Sequence, residues 1–262
     1  MYIALLGLPV ACGTYMDPRL EQEADVLIQG KVTGGHEVSP RELREYVAKA
    51  LRRTRKIGGY CCTIYKRERV NGELLGTQKA RLELRHVPFS VHIRFLEPSS
   101  VAGEEAIYVE GRYDNKIVAH STGILGWLGT VHLDPSGSMA MKGNRYPITD
   151  AGLMRLLEKL DAICRSKTIE SCSVRMQEGV ILDGRPCDLL ELVQHPPAPV
   201  PGFSRIQALF DREFGVLVHY EVHAIDAMRR DVLIESHTFT DLRLDPGLTD
   251  QDFDPENPAY DY

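Results

Sequence analysis

The sequence predicts an α+β fold: a large antiparallel sheet with at least two amphipathic helices laid on it. Three observations lead there. Between Phe203 and Asp254, three consecutive runs alternate apolar and polar residues with a period of two, as half-buried antiparallel strands do. Two other stretches, after Ser39 and after Thr149, repeat their apolar residues at helical spacing. Short alternating runs separated by turn residues fill much of the remainder, which predicts a meander with sequence neighbours paired in the sheet.

At 262 residues the chain suits one large β domain or two small ones. With 43% apolar and 26% charged residues it can bury a sizeable core. The formal net charge of −6 disfavours a general nucleic-acid binder, whose domain would be basic. No internal run approaches the roughly 18 apolar residues of a membrane-spanning helix.

Residues 1–38 read as an apolar N-terminal arm with a flexible lead-in, and 39–262 as one domain. Ile3 to Ala11 followed by Cys12-Gly13 resembles the apolar region of a secretory signal, which predicts export to the cell envelope. Val10-Ala11-Cys12 resembles the end of a bacterial lipobox, making Cys12 a candidate for lipidation. Pro9 stands where that pattern has leucine, and no Lys or Arg precedes the apolar run. The competing reading is a short apolar arm docked on the domain. Met16 to Ser39 is polar and mixed, as a poorly ordered lead-in would be.

The first helix is announced by Ser39 as N-cap, Pro40 at the first helical position and Glu42 closing a capping box. Leu43, Tyr46, Val47, Ala50 and Leu51 form its apolar stripe. It ends in Arg52-Arg53-Thr54-Arg55-Lys56, cations suited to the negative end of the helix dipole or to a membrane surface or anionic ligand. From Gly59 the period changes to two. Asn71-Gly72 is a strong hairpin signal. Ala80, Leu82 and Leu84, then Val91, Ile93 and Phe95, then Ile107 and Val109 continue the pattern.

Gly123 to Gly129 sets Ile124, Leu125, Trp127 and Leu128 among glycines, which suits a lid or loop. The second helix is predicted to open near Thr149-Asp150, with Leu153, Leu156, Leu157, Leu160 and Ile163 as its apolar stripe. A hairpin about Asp183-Gly184 spans Val174 to Val193. The prolines from His195 to Pro201 stop strand pairing and read as a loop within the domain. In the last three strands the shared faces are Ile206, Ala208 and Phe210; Val216, Val218, Tyr220 and Val222; and Val232, Ile234, Ser236, Thr238 and Leu242. Six cysteines without a C-x-x-C spacing argue against a zinc ribbon or redox motif. Cys164, Cys172 and Cys187 allow a disulfide only with a looser loop, and buried free thiols are the simpler expectation.

The C-terminal run Thr240-Asp241-Leu242-Arg243-Leu244, Gly247-Leu248-Thr249-Asp250, Asp252-Phe253-Asp254 and Asn257-Pro258-Ala259-Tyr260 resembles the bacterial domain of unknown function 1571. Leu133-Asp134-Pro135 and Pro147-Ile148-Thr149 with Gly152 are similar to its central part, so the likeness covers about Ser39 to Tyr260. That family resembles the LolA/LolB-like envelope proteins. The resemblance implies an incomplete, half-open antiparallel barrel covered by helices, whose apolar concavity accepts lipid acyl chains. It implies no activity and no cofactor.

Three groups invite a chemical reading. His219, Glu221 and His223 share a strand face and offer zinc-type donors, but they suit the polar side of an amphipathic strand better. His132, Asp134, Ser136 and Ser138 lie near a turn without a nucleophile elbow. Asp250, Asp252 and Asp254 imitate the start of a calcium loop, but Pro255 occupies the position that needs glycine. No catalytic or metal residue is therefore assigned.

The first expectation is a non-catalytic envelope protein holding a lipid or lipid-modified protein against Ile64, Leu82, Leu84, Ile93, Phe95, Ile206, Val218, Tyr220 and Ile234, with Trp127 and Leu128 as lid. Core packing is the alternative for each. A structural or interaction protein whose cavity is filled by its own helices is the second expectation, and a metal-dependent hydrolase the distant third.

Overall fold

In the computed structural model, residues 16–29, 34–121, 129–195 and 202–260 are described. Helix α1 (Pro18–Val26) is followed by short strands β1 (Ile28–Gln29) and β2 (His36–Glu37), then helix α2 (Pro40–Thr54). Strands β3 (Gly59–Val70), β4 (Glu73–Leu74), β5 (Gln78–Arg85), β6 (Ser90–Glu97), β7 (Glu105–Val109), β8 (Ile117–His120) and β9 (Val131–Leu133) precede helix α3 (Leu153–Arg165). Strands β10 (Cys172–Leu182), β11 (Arg185–Gln194), β12 (Arg205–Asp211), β13 (Leu217–Ile225) and β14 (Asp231–Leu244) complete the sheet.

Among the described residues all pairings are antiparallel, in the order β1-β10-β11-β12-β13-β14-β3-β5-β6-β7-β8-β9, and the sheet does not close into a barrel. Two meanders, β5 to β9 and β10 to β14, are therefore joined by the long pairing of β14 with β3. The predicted turns form where backbone chemistry requires them: Asn71 and Gly72, like Asp183 and Gly184, all have positive φ, as tight hairpin turns demand. Strands β11 and β12 pair directly, so the segment between them connects strands of one sheet. Residues 196–201 themselves lie outside the described residues.

Helices α2 and α3 cover one face of the sheet. Ser39 and Glu42 make the predicted reciprocal capping box. Leu43, Val47, Ala50 and Leu51 of α2 and Leu153, Leu156, Leu157 and Leu160 of α3 are buried in one core with the sheet. Thr149 and Asp150 do not open α3. They lie in a single 3-10 turn, Ile148–Asp150, and the α-helix starts only after Gly152, which sits at φ +99.

The outer face is also covered, at two places. The expected poorly ordered lead-in contains a helix instead: Asp17 caps α1, Pro18 takes its first position, and Leu20 is buried. Glu21 accepts hydrogen bonds from Thr77 and pairs with Arg67, while Glu23 bonds Tyr65 and Lys79. At the other place the C-terminal segment buries Phe253 against Ile107 and Val109 in a second small core.

Strand β14 departs from the predicted alternation. Its fully buried core residue is Phe239, paired with Ile64, whereas the sequence alternation places Val232, Ile234, Ser236, Thr238 and Leu242 on one shared face. Irregularities between Val222 and His223 and between Thr240 and Arg243 shift the register, and a one-residue shift moves side chains to the opposite face. Cys61, Cys62, Cys164, Cys172 and Cys187 are free thiols, all buried except the half-buried Cys172.

Candidate binding site

The helix face collects most of the apolar residues singled out from the sequence. Cross-strand partners share a face. The register Cys62–Leu82–Ile93, Ile64–Ala80–Phe95 and Tyr60–Leu84–Val91 therefore brings Ile64, Leu82, Leu84, Ile93 and Phe95 together. Ile206 and Tyr220 join the same face through β12, β13 and β14. Val218 lies at the irregularity between β12 and β13 and is buried. Ile64, Leu82, Leu84, Ile206, Val218 and Tyr220 are all packed to 8% exposure or less. Ile93 and Phe95 are only half-buried, as is Ile234, which sits at the register shift of β14. Trp127 and Leu128 lie outside the described residues.

This face is not uniformly apolar. Beyond Ile64 the same side of β3 carries Lys66 and Glu68, which pair across the ladder with His237 and Glu235. Two carboxylates facing each other in a buried ladder repel unless cations or hydrogen bonds separate them. Here His237 Nε2 lies 3.0 Å from Glu68 Oε1, Lys66 Nζ lies 3.4 Å from Glu68 Oε2, and the Arg145 amide donates to Glu68 at 2.9 Å. Burial alone would raise the Glu68 carboxyl, but Lys66 and His237 hold it well below the usual carboxylate range. The Tyr146 hydroxyl donates to Glu235 at 3.1 Å, and the Lys159 ammonium sits 3.0 Å from the centre of the Tyr146 ring. Burial lowers the Lys159 pKa. This network ties α3 and the residues before it to the junction of β3 and β14.

Glu68, Glu235 and His237 have donor atoms close enough to surround a metal ion. The two carboxylates are already opposed by Lys66, Lys159 and the histidine, a balance that a divalent cation would upset. The arrangement suits a structural charge network.

At the edge of the helix face a cleft of about 410 Å³ opens between the start of α3 and the β5–β6 turn, within the range of roughly 300–1,000 Å³ typical of ligand pockets. Phe89, Ala151 and Met154 supply an apolar wall that packs against the main core. Arg55, His86, Arg155, Glu110 and Glu158 supply the polar rim. Arg155 is held by Glu158 at 2.9 Å. His86 has Nδ1 at 2.7 Å from the Ile57 carbonyl, leaving its buried Nε2 without a hydrogen-bond partner. From Phe89, the half-buried Ile93 and Phe95 continue along the same face of β6. The sequence pattern marked Ile93 and Phe95 but not the cleft, because Arg55, His86 and Met154 come from three elements.

The chemical groups considered from sequence form no reactive centre. His219 is not on a wet face: it is 2% exposed, bonded to Thr238 at 2.8 Å, and burial lowers its pKa to about 4. His223 instead pairs with Glu221 at 2.8 Å. Asp134 accepts from the Ser136 amide in a turn, and His132, Asp134, Ser136 and Ser138 are exposed. Asp250 bridges Arg85 and Arg112, Asp252 caps Thr249, and Asp254 accepts from the Glu256 amide. Asp250 fastens the C-terminal segment to the sheet through Arg85 of β5, while Asp252 and Asp254 bond within the segment itself. Burial raises the thiols of Cys164 and Cys187 to about 12, which disfavours the nucleophilic thiolate.

A family model described as "Protein of unknown function (DUF1571)" matches residues 57–262. No curated protein matches the sequence. Similar solved structures include the lipoprotein LppX of Mycobacterium tuberculosis, at 12% identity and TM-score 0.46, covering 80% of this chain and 99% of that one. The MucA/MucB complex of Pseudomonas aeruginosa is similar at 15% identity and TM-score 0.45, covering 81% of this chain and 60% of that one. A LolA superfamily protein of Nitrosomonas europaea is similar at 10% identity and TM-score 0.34, covering 81% and 97%.

Proposed function

The chain belongs to the DUF1571 family, and we propose that it is a non-catalytic, lipid-binding protein of the bacterial cell envelope. An acyl chain would lie between the sheet and the helices, entering at the cleft beside Met154. The observation that carries this reading is the cleft itself: an apolar wall of Phe89, Ala151 and Met154 continuous with the core, below a polar rim. A lipid has the matching division. Its tail would follow Phe89, Ile93 and Phe95, and its polar head would meet Arg55 and the unbonded Nε2 of His86. Burying each methylene against such a wall contributes about 0.8 kcal/mol, so even a partly seated chain gains several kcal/mol.

The second reading, an envelope interaction protein with a self-filled cavity, is favoured by one observation. Side chains of α2 and α3 already fill most of the helix face. Native protein, purified from its own host, separates the two by mass spectrometry of its organic-solvent extract. Stoichiometric lipid supports the first reading. Its absence, together with no uptake of a fluorescent fatty acid, leaves the second. Fractionation tests the envelope location: an uncleaved N-terminus retained in the cytoplasm contradicts it.

A further inference from the structure

The cleft mouth adjoins an exposed apolar point flanked by cations. Val87, at the tip of the β5–β6 turn, is 85% exposed, and Pro88 beside it is exposed as well. The turn is held against the chain that leaves α2: the His86 amide donates to the Gly58 carbonyl at 2.9 Å, and His86 Nδ1 lies by Ile57. Arg52, Arg53, Arg55 and Lys56 are all exposed on that same end of α2. Among the described residues none of the four stands in an ion pair, although Arg53 donates to the Glu213 carbonyl. The helix dipole accounts for Arg52 and Arg53 in the last turn. It does not account for Lys56, which lies beyond the cap. Against these cations stand Glu158, paired with Arg155, Glu110, which accepts from the Phe89 amide, and Asp245, which accepts from the Gly58 amide at 2.6 Å. A local cationic surplus on a chain of net charge −6 is placed next to an apolar tip.

We infer that this end of the molecule docks on an anionic lipid bilayer. Val87 and Pro88 enter the interface, Arg52, Arg55 and Lys56 meet lipid phosphates, and the cleft mouth faces the membrane. An apolar tip with cations around it matches both layers of a bilayer surface. An acidic protein partner would satisfy the cations but give Val87 no counterpart. The inference extends the lipid-binding reading by naming the surface from which the cleft would be filled, and docking is measured apart from uptake.

The test is flotation of the full chain with vesicles of phosphatidylcholine alone and of phosphatidylcholine mixed with phosphatidylglycerol. Binding is expected only to the mixed vesicles and should weaken with salt. At about fivefold per cation near an anionic surface, R52E/R55E/K56E should lose at least a hundredfold in affinity. V87D should lose severalfold, and both variants should keep the native circular dichroism. The apolar residues 3–11 are common to all variants, so the differences report this rim. Equal binding to both vesicle types, or unchanged binding by the triple variant, overturns the inference. So does retention on polyglutamate with no vesicle binding, which assigns the cations to an acidic protein. Vesicle binding without fatty-acid uptake would instead overturn the lipid-binding reading and leave the docking surface standing.

Discussion

The backbone amide of Leu153 donates to the hydroxyl of Tyr60 at 2.9 Å, in a fully buried contact. Gly152 has no side chain to cap α3, so a tyrosine from the middle of the sheet satisfies one of the helix's first amides. The geometry also explains Gly152. A Cβ there would collide with the Tyr60 hydroxyl and with Leu84 Cδ1, and its φ of +99 is rarely open to other residues. Tyr60→Phe is expected to cost about 1–3 kcal/mol, the penalty for a buried amide left without a partner. Gly152→Ala should cost more, because strain and collision add. Urea denaturation checks both, and a Gly152→Ala protein as stable as the parent would contradict the packing described here.

The buried network at the β3–β14 junction gives a second expectation. Glu68→Gln removes the carboxylate that Lys66 and His237 both face, and breaking a buried pair from one side typically costs about 3–5 kcal/mol. Glu68 is held below its ordinary value of 4.5. Its contribution is therefore complete above that pH and is lost as pH falls toward the depressed folded value. The difference between parent and variant in unfolding free energy should shrink in acid. A difference that stays constant would mean the carboxylate charge is not what matters.

His219 acts in a higher window. Its folded pKa is about 4 against an ordinary 6.5, so between those values the unfolded chain binds a proton that the folded one refuses. Stability should fall as pH drops through this window, by about 3 kcal/mol for the full shift. The part above 4.5 is free of the Glu68 effect. Unfolding curves for the parent and His219→Gln should converge as pH decreases there; parallel curves would contradict the assignment.

Thiol reactivity tests the buried-cysteine arrangement. In a Cys12→Ser chain the five remaining cysteines are free, and burial raises the thiol pKa at each. Ellman's reagent should label the native protein slowly and first at half-buried Cys172, then all five on unfolding. Rapid native labelling of Cys62 or Cys164 would be inconsistent with the core.

What was legible in the sequence was what short segments determine on their own. Ser39 and Glu42 cap α2, Asn71-Gly72 and Asp183-Gly184 turn their hairpins, and the leucines of α3 face the core, because each depends on residues a few positions apart. Helix α1 is short and mostly polar, so it has no apolar periodicity to announce it, although Asp17-Pro18 is a usable start signal. The network of Lys66, Glu68, Glu235 and His237 was not legible. Lys66-Arg67-Glu68-Arg69 reads as a solvated run until β14 is paired with β3 from the far end of the chain. The register shifts in β14 likewise depend on its neighbours, so simple alternation along the strand does not single out Phe239 as the core residue. The cleft depends on three separated elements, so sequence pattern could supply only the apolar stripe that leads from it.

The central claim, that an acyl chain enters beside Met154, is tested most directly by titrating delipidated protein with a fluorescent fatty acid, using the parent and Met154→Glu. The parent should saturate at one ligand per chain. The variant, with a charge on the apolar wall but the same circular dichroism, should lose at least tenfold in affinity, the equivalent of about 1.4 kcal/mol. No saturable binding by the parent, or equal binding by both proteins, would contradict the account.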